Sequence, residues 1–448
     1  MKGDDPEQDH VAMRRTSFRR VMVITVAALW TTYLAAIIIL VVRKPILHSE
    51  SARLIWRSVL LLPASAVLRL VAGSTTSTVT ARLYAASYAG TVTTLDLNLG
   101  GGLRTIASTN ACGVRPSWLA VDHAEPYVYC LDEAWDQPSG TVKSFHAEED
   151  GSLSLIDGVE LIAGPVSIAE FGAGLAIASY AGSGVSVVGV GSNGHLDLIQ
   201  NETYTLDRPG PVRDRQEAPH PHQALLDPTG AFMLVPDLGA DLIRVYRVDE
   251  DDLTLTDIAP LKVAPGSGPR HGAFKTTEDA TYLYVVTELA NTIIGYDVRY
   301  NADDHTLEFS ELFTIPIHGD GRALVATAAA SEIQVTPDGD FLIVASRYEN
   351  ALCIENFDPN NSTEIVSDPL IVYAIDEETG LVDKIQEFPA GGSCPRHFSI
   401  NSDGDLVAVG LQGDGRVVFI RRDVETGLLE DFVGFVDVMG GVSTVMFV

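Results

Sequence analysis

PHPHQALLDPTGAFMLVPDLGADLIRVYRVDEDDLTLTD, residues 219–257, falls into four short apolar runs. They are Gln223–Leu226, Phe232–Pro236, Leu242–Arg247 and Leu253–Asp257. Each is bounded by Asp, Gly or Pro, and each is too short for a helix of ordinary length. Runs of this kind between turn residues predict β-strands, named A to D in order. The turn Pro228-Thr229-Gly230 joins A to B, and the same tract returns as Pro337-Asp338-Gly339. The unit recurs with variation from Arg115, Gly164, Gly268, Ser331 and Cys394. Six units of four strands at a near-regular spacing are the signature of a repeat fold.

The chain ends supply a seventh unit. RLYAASYAGTVTTLDL, residues 82–97, reads as strands B and C, and Leu103–Ser108 as D, with no A before them. GVSTVMFV, residues 441–448, reads as an A with nothing after it. A ring closed by pairing the last strand with the first blade accounts for both, and closure protects strand edges. The expected fold is therefore all-β: a seven-bladed β-propeller over residues 80–448. The insertion 358–368 is expected between strands C and D of the sixth unit, or within a widened strand C.

The remainder carries different signals. Val21 to Val42 is a run of 22 residues without a charge, the length that crosses a bilayer core. Arg14, Arg15, Arg19 and Arg20 precede it, and Arg43 and Lys44 follow. The expected organisation is a basic cytoplasmic tail (1–20), a transmembrane or signal-anchor helix (21–42), a linker (43–79) and a lumenal or extracellular propeller. Cleavage and secretion is the alternative. Residues 1–73 hold ten basic and five acidic residues, so from totals of 30 and 60 the remainder holds 20 and 55, a net charge of −35. Such a surface is unsuited to phosphate backbones, so no nucleic-acid partner is expected.

Export permits disulfides and glycans. Cys112–Cys130 and Cys353–Cys394 are the expected pairs, with four free thiols as the alternative. Sequons stand at Asn201, Asn360 and Asn361. No CxxC pair or Cys/His cluster has metal-ligand spacing, so neither a metal nor another cofactor is expected.

Propeller topology sends the start of strand A and the B–C turn to one face. His220 and His222, then Arg270 and His271, then Arg396 and His397 precede or open three A strands. Glu288 and Asp237 end B strands, and Arg347 and Asn350 sit at a B–C turn. Four adjacent blades thus aim His, Arg and Glu at one mouth. Arg binds carboxylates in bidentate fashion, and a His–Glu pair can move a proton. His222 and Glu288 are the expected acid–base pair, with Arg270 and Arg347 holding substrate and stabilising charge. His220, His271, Arg396 and His397 are expected to contact substrate. Each also fits a structural role: a hydrogen-bonding His at a strand start, or an Arg in an inter-blade ion pair.

HPHQALLDPTG, VPDLGADLIRVY, GPRHGAF, VVTELANTIIGY and CPRHFSI resemble the lactonase/cycloisomerase propeller family. That family includes fungal carboxy-cis,cis-muconate cyclase and the propeller type of 6-phosphogluconolactonase. The resemblance spans about residues 82–448, and SYAGTVTTLDL is most like the cyclase branch. It implies His, Arg, Glu and Arg at the site, and His222, Arg270, Glu288 and Arg347 match. The expected activity is lactonising cycloisomerisation or lactone hydrolysis of a small anionic lactone or dicarboxylate. The alternatives are phosphogluconolactone hydrolysis and a non-catalytic exported binding propeller.

Overall fold

Phe341–Arg347, FLIVASR, is buried at every position, which a strand achieves only when both of its faces are covered. Its side chains alternate accordingly. Leu342 and Val344 join a cluster with Tyr284 and Val286, while Ile343 and Ala345 join one with Phe398 and Val407. Each sheet is thus a blade wedged between two others. In the computed structural model, which describes residues 81–98, 102–301, 305–319 and 323–448, seven such clusters alternate with seven blades. No helix occurs among the described residues. The expected anchor, tail and linker lie outside them.

Each blade is a four-stranded antiparallel sheet ordered A–B–C–D outward from the central channel. Blade one is Val442–Phe447 as strand A with Ala81–Ser87, Thr91–Asn98 and Gly102–Thr109. Leu83 pairs with Phe447 and Ala85 with Val445, so the ring closes as its two incomplete ends imply. The inner strands of blades two to seven begin at Pro116, Pro165, Leu225, Pro269, Ala329 and Pro395.

Side chains on the inner strands stitch neighbouring blades together. Ser443 Oγ donates to the Pro116 carbonyl at 2.6 Å, Ser117 Oγ to Pro165 at 2.7 Å, and Ser331 Oγ to Pro395 at 2.7 Å. The Gln223 amide exchanges two hydrogen bonds with the Gly272 backbone. These bonds satisfy buried polar groups next to the channel and hold the inner strands in fixed register. The A–B turns need a left-handed residue, which Gly230 (φ 76°) and Gly339 (φ 80°) supply.

Two expectations are corrected. The insertion lies between strands B and C of blade six. Leu352–Ile354 pairs with Ile365–Ser367 in a separate hairpin, and strand C is Pro369–Ile375. Cys353 is consequently out on that hairpin, exposed, while Cys394 is a buried free thiol, so the expected Cys353–Cys394 bond does not form. Cys112 and Cys130 are disulfide-bonded within the apolar layer between blades one and two. Asn201, Asn360 and Asn361 are all exposed.

Closing a loop of this length restricts the unfolded chain by roughly 3 kcal/mol. Replacing both Cys112 and Cys130 by Ser is expected to lower unfolding free energy by about 2–4 kcal/mol, read from denaturant titration, with little change from Cys353→Ser.

Candidate functional site

Antiparallel pairing puts the start of each strand A beside the end of strand B, so both reach the same end of the ring. Arg270 and Arg396 enter from A strands and Arg347 from the end of a B strand. Glu288 follows strand B of blade five, with its N–H donating to the Gly268 carbonyl. Its carboxylate is the centre of the cluster. Oε2 accepts from Arg270 Nε and lies in ion-pair contact with Arg347, both at 2.9 Å. Oε1 accepts from Arg215 at 2.6 Å.

Burial alone pushes the Glu288 carboxyl up. The guanidiniums of Arg347, Arg270 and Arg215 outweigh burial and hold it far below the usual carboxylate range. Glu288 is thus held as a carboxylate counter-ion to three guanidiniums. The sequence reading expected it to pair with His222 as acid and base; the structure places it in ion-pair contact with the three arginines. Arg270 is spent as well: Nη1 donates to the Ser331 carbonyl at 2.6 Å, and Arg270 does not line the cavity.

The cavity at this end has a volume of about 600 Å³. Its walls include His222, Arg215, Glu288, Arg347 and Arg396 on the polar side and Trp135, Tyr180, Val166 and Leu289 on the apolar side. Arg347 also donates to the Ala329 and Ala330 carbonyls. Arg396 is different. Among the described residues it makes no hydrogen bond or ion pair to protein; its guanidinium lies over the Tyr88 ring, 5.6 Å from the centroid. Burial opposes its charge, but Tyr88 and Glu133 outweigh that and keep its pKa above the ordinary value. A buried guanidinium with no hydrogen bond to protein keeps its donors available to a ligand in the cavity.

His222 lines the same cavity. Burial, then the charge of Arg270, push its pKa well below 6.5, so the ring is neutral at physiological pH. Its Nδ1 lies 3.2 Å from His271 Nε2, leaving Nε2 for a ligand. His271 Nδ1 in turn contacts Glu332 Oε2 at 3.0 Å, and His397 Nε2 lies 3.4 Å from that same oxygen. His271 and His397, expected to contact substrate, are buried and do not line the cavity. His220, likewise expected at substrate, has its ring nitrogens on the Tyr180 carbonyl and Glu217. His220 stacks on Tyr180 at 4.1 Å, and Tyr180 stacks on Trp135 at 6.1 Å.

Asp237 closes a turn, accepting from the His220 and Ala240 N–H groups and pairing with Arg244. Asn350 docks its N–H on Asp368. Among the described residues no group of three or more His, Cys, Asp or Glu side chains is arranged to hold a metal ion.

Sequence reading missed Arg215, Tyr180, Trp135 and Glu332. Arg215 lies in the loop before blade four, where no strand pattern points at it. Glu332 had a usable signal: it follows Ser331 on an inner strand as His271 follows Arg270 and His397 follows Arg396.

The chain matches the family model described as "Lactonase, 7-bladed beta-propeller" over residues 70–447. A relative from Arthroderma benhamiae, named "Probable 6-phosphogluconolactonase", is 31% identical over 363 residues, covering 80% of this chain and 87% of its own. The 6-phosphogluconolactonase of Bacillus subtilis is 28% identical, covering 70% and 82% respectively. The solved structure of the Pseudomonas aeruginosa periplasmic gluconolactonase superposes with a TM-score of 0.69 at 22% identity, covering 82% of this chain and 99% of that one. The last likeness concerns the fold alone.

Glu288→Gln removes the counter-charge of three guanidiniums. Breaking a buried pair this way is expected to cost about 3–5 kcal/mol of stability at pH 7. The native pKa of Glu288 is depressed, so its contribution is complete above the unfolded value of about 4.3 and fades as pH falls below it. Acid titration of unfolding is expected to show a smaller loss on acidification in the variant than in the wild type.

Proposed function

This chain belongs to the lactonase seven-bladed β-propeller family, and we propose that it is a lactone hydrolase of the 6-phosphogluconolactonase type, acting on a small anionic lactone. The observation that carries the reading is one cavity lined by a neutral His222 and by Arg396, a buried guanidinium that contacts a ring face and, among the described residues, makes no ion pair. The relatives named above bear hydrolase names, which favours hydrolysis over the expected cyclase chemistry. The cyclase substrate therefore serves as the comparison.

In this reading His222 Nε2 takes a proton from water as the water oxygen adds to the lactone carbonyl. Arg347, fixed by Glu288 and two backbone carbonyls, faces the developing oxyanion, and preorganised charge of this kind stabilises it. Collapse breaks the ring C–O bond, and the proton on His222 passes to the leaving alkoxide. The product is the open hydroxy acid. Arg396 binds the substrate's anionic group.

Low basicity is a handicap for a general base. Here the substrate relieves part of it. The Arg396 charge is one of the causes that lower the His222 pKa, so an anion bound at Arg396 offsets that repulsion and raises basicity in the complex. The −35 charge outside residues 1–73 repels an anion at long range, but salt screens this beyond about 8 Å.

The test is acid release by the full-length chain from 6-phosphoglucono-δ-lactone, glucono-δ-lactone and 3-carboxy-cis,cis-muconate at constant pH. Turnover of the phosphorylated lactone is expected, with the muconate left unchanged. His222→Asn is expected to lower kcat by about 10²- to 10⁴-fold. Arg396→Met is expected to raise KM by roughly 10- to 100-fold, the worth of a charge-assisted hydrogen bond. Because His222 is neutral through pH 6.5, the wild-type rate on the free enzyme is expected to stay level as pH falls through that value. No turnover of either lactone by folded protein would overturn the reading.

A further inference from the structure

Behind His222 lies a buried line of titratable groups that the mechanism above does not use. His222, His271, Glu332 and His397 are each at most 5% exposed. They come from the A strands of blades four to seven, or from the segment just before one. Trp118, from blade two, packs edge-on against His271 at 5.7 Å and His397 at 4.8 Å. The cluster is therefore enclosed on the side away from the cavity.

The donors and acceptors in this line can be assigned from its ends. The backbone N–H of Val445 donates to His397 Nδ1 at 3.4 Å. A peptide N–H cannot accept, so Nδ1 of His397 carries the lone pair and Nε2 carries the proton in the neutral ring. That nitrogen lies 3.4 Å from Glu332 Oε2. The other oxygen, Oε1, receives the Ile333 N–H at 3.1 Å. Oε2 thus lies between two imidazoles, and the nearby Arg270 and Arg396 charges favour the carboxylate. Burial raises the Glu332 pKa above its ordinary value, and His397, Arg270, the Ile333 N–H and Arg396 offset only part of that rise.

The rest follows in sequence. Glu332 as a carboxylate makes His271 Nδ1 the donor across 3.0 Å. Burial and the neighbouring Arg270 and Arg396 keep His271 neutral, so its Nε2 holds a lone pair. His222 must then donate from Nδ1 across 3.2 Å, and its Nε2 must present a lone pair to the cavity. Imidazole tautomers are set in this way by the partner of the second nitrogen.

We propose that Glu332 is a positioning residue which, through His271, locks His222 in the Nδ1–H tautomer and so makes its cavity-facing nitrogen a base. The inference rests on the hydrolase reading for its catalytic meaning but not for its geometry. Glu332→Gln reverses the line. The Ile333 N–H holds the amide oxygen, the amide nitrogen donates to His271 Nδ1, His271 donates from Nε2, and His222 is left with Nε2–H.

The test reads tautomers directly, by ¹⁵N NMR of ring nitrogens in the full-length chain carrying labelled histidine. His222→Asn identifies the His222 signals. The wild-type ring is expected to be neutral with Nδ1 protonated; Nε2 protonated in the wild type would overturn the proposal whatever the variants do. In Glu332→Gln the proton is expected to move to Nε2. With the lactone, kcat is expected to fall about 10- to 100-fold, with KM within twofold. A rise in KM at unchanged kcat, or an unmoved tautomer in a folded variant, would contradict it. A wild type with the expected tautomer but no lactone turnover would refute the hydrolase reading and leave the relay standing.

Discussion

The hydrogen-bonded seam between Val442–Phe447 and Ala81–Ser87 is the contact on which the molecule depends. Every blade buries its two faces against two neighbours, so an open ring would expose two apolar faces as well as unpaired strand edges. The closing strand removes both hazards. Val442 and Val445 pack between blades seven and one, and Ser443 ties the strand to Pro116 of blade two. The seam also reaches the residues behind the site, since the Val445 N–H donates to His397 Nδ1.

Charge at the cavity is arranged by what each group is committed to. Burying Glu288 with three guanidiniums is costly in desolvation and is no reliable source of net stability. What the arrangement provides is rigidity. Arg347 is held by a carboxylate and two carbonyls, so its position needs no adjustment when charge develops nearby. Arg396, held only by a ring face, keeps its hydrogen-bonding capacity for a ligand. His222 is neutral for the same reason that it is weakly basic: it is buried beside cations.

The fold was legible in the sequence because the repeat is written in local patterns. Turn tracts such as Pro337-Asp338-Gly339 and the unmatched strands at the two ends lead to a closed ring of seven without further information. The misplaced insertion has a local cause. Leu352-Cys353-Ile354 is apolar and stands where strand C is due after Arg347, yet the true strand C begins at Pro369. The expected Cys353–Cys394 bond failed with it. At the site, residue types and the shared mouth were legible, since strand starts and strand ends can be counted. Commitments were not. Whether Arg270 or Arg396 is free depends on Arg215, which arrives from an inter-blade loop, and on carbonyls of a neighbouring blade. Glu332 looked like an ordinary inner-strand residue until His271 and His397 were seen on either side of it.

The most direct measurement is a crystal structure of the full-length chain with 6-phosphogluconate, the product of the expected hydrolysis. The expected result is a ligand in the cavity with its carboxylate within hydrogen-bonding distance of His222 Nε2 and its phosphate against Arg396. A ligand bound away from His222, or one that leaves Arg396 unengaged, would contradict the assignment of this cavity as a lactone-hydrolysing site.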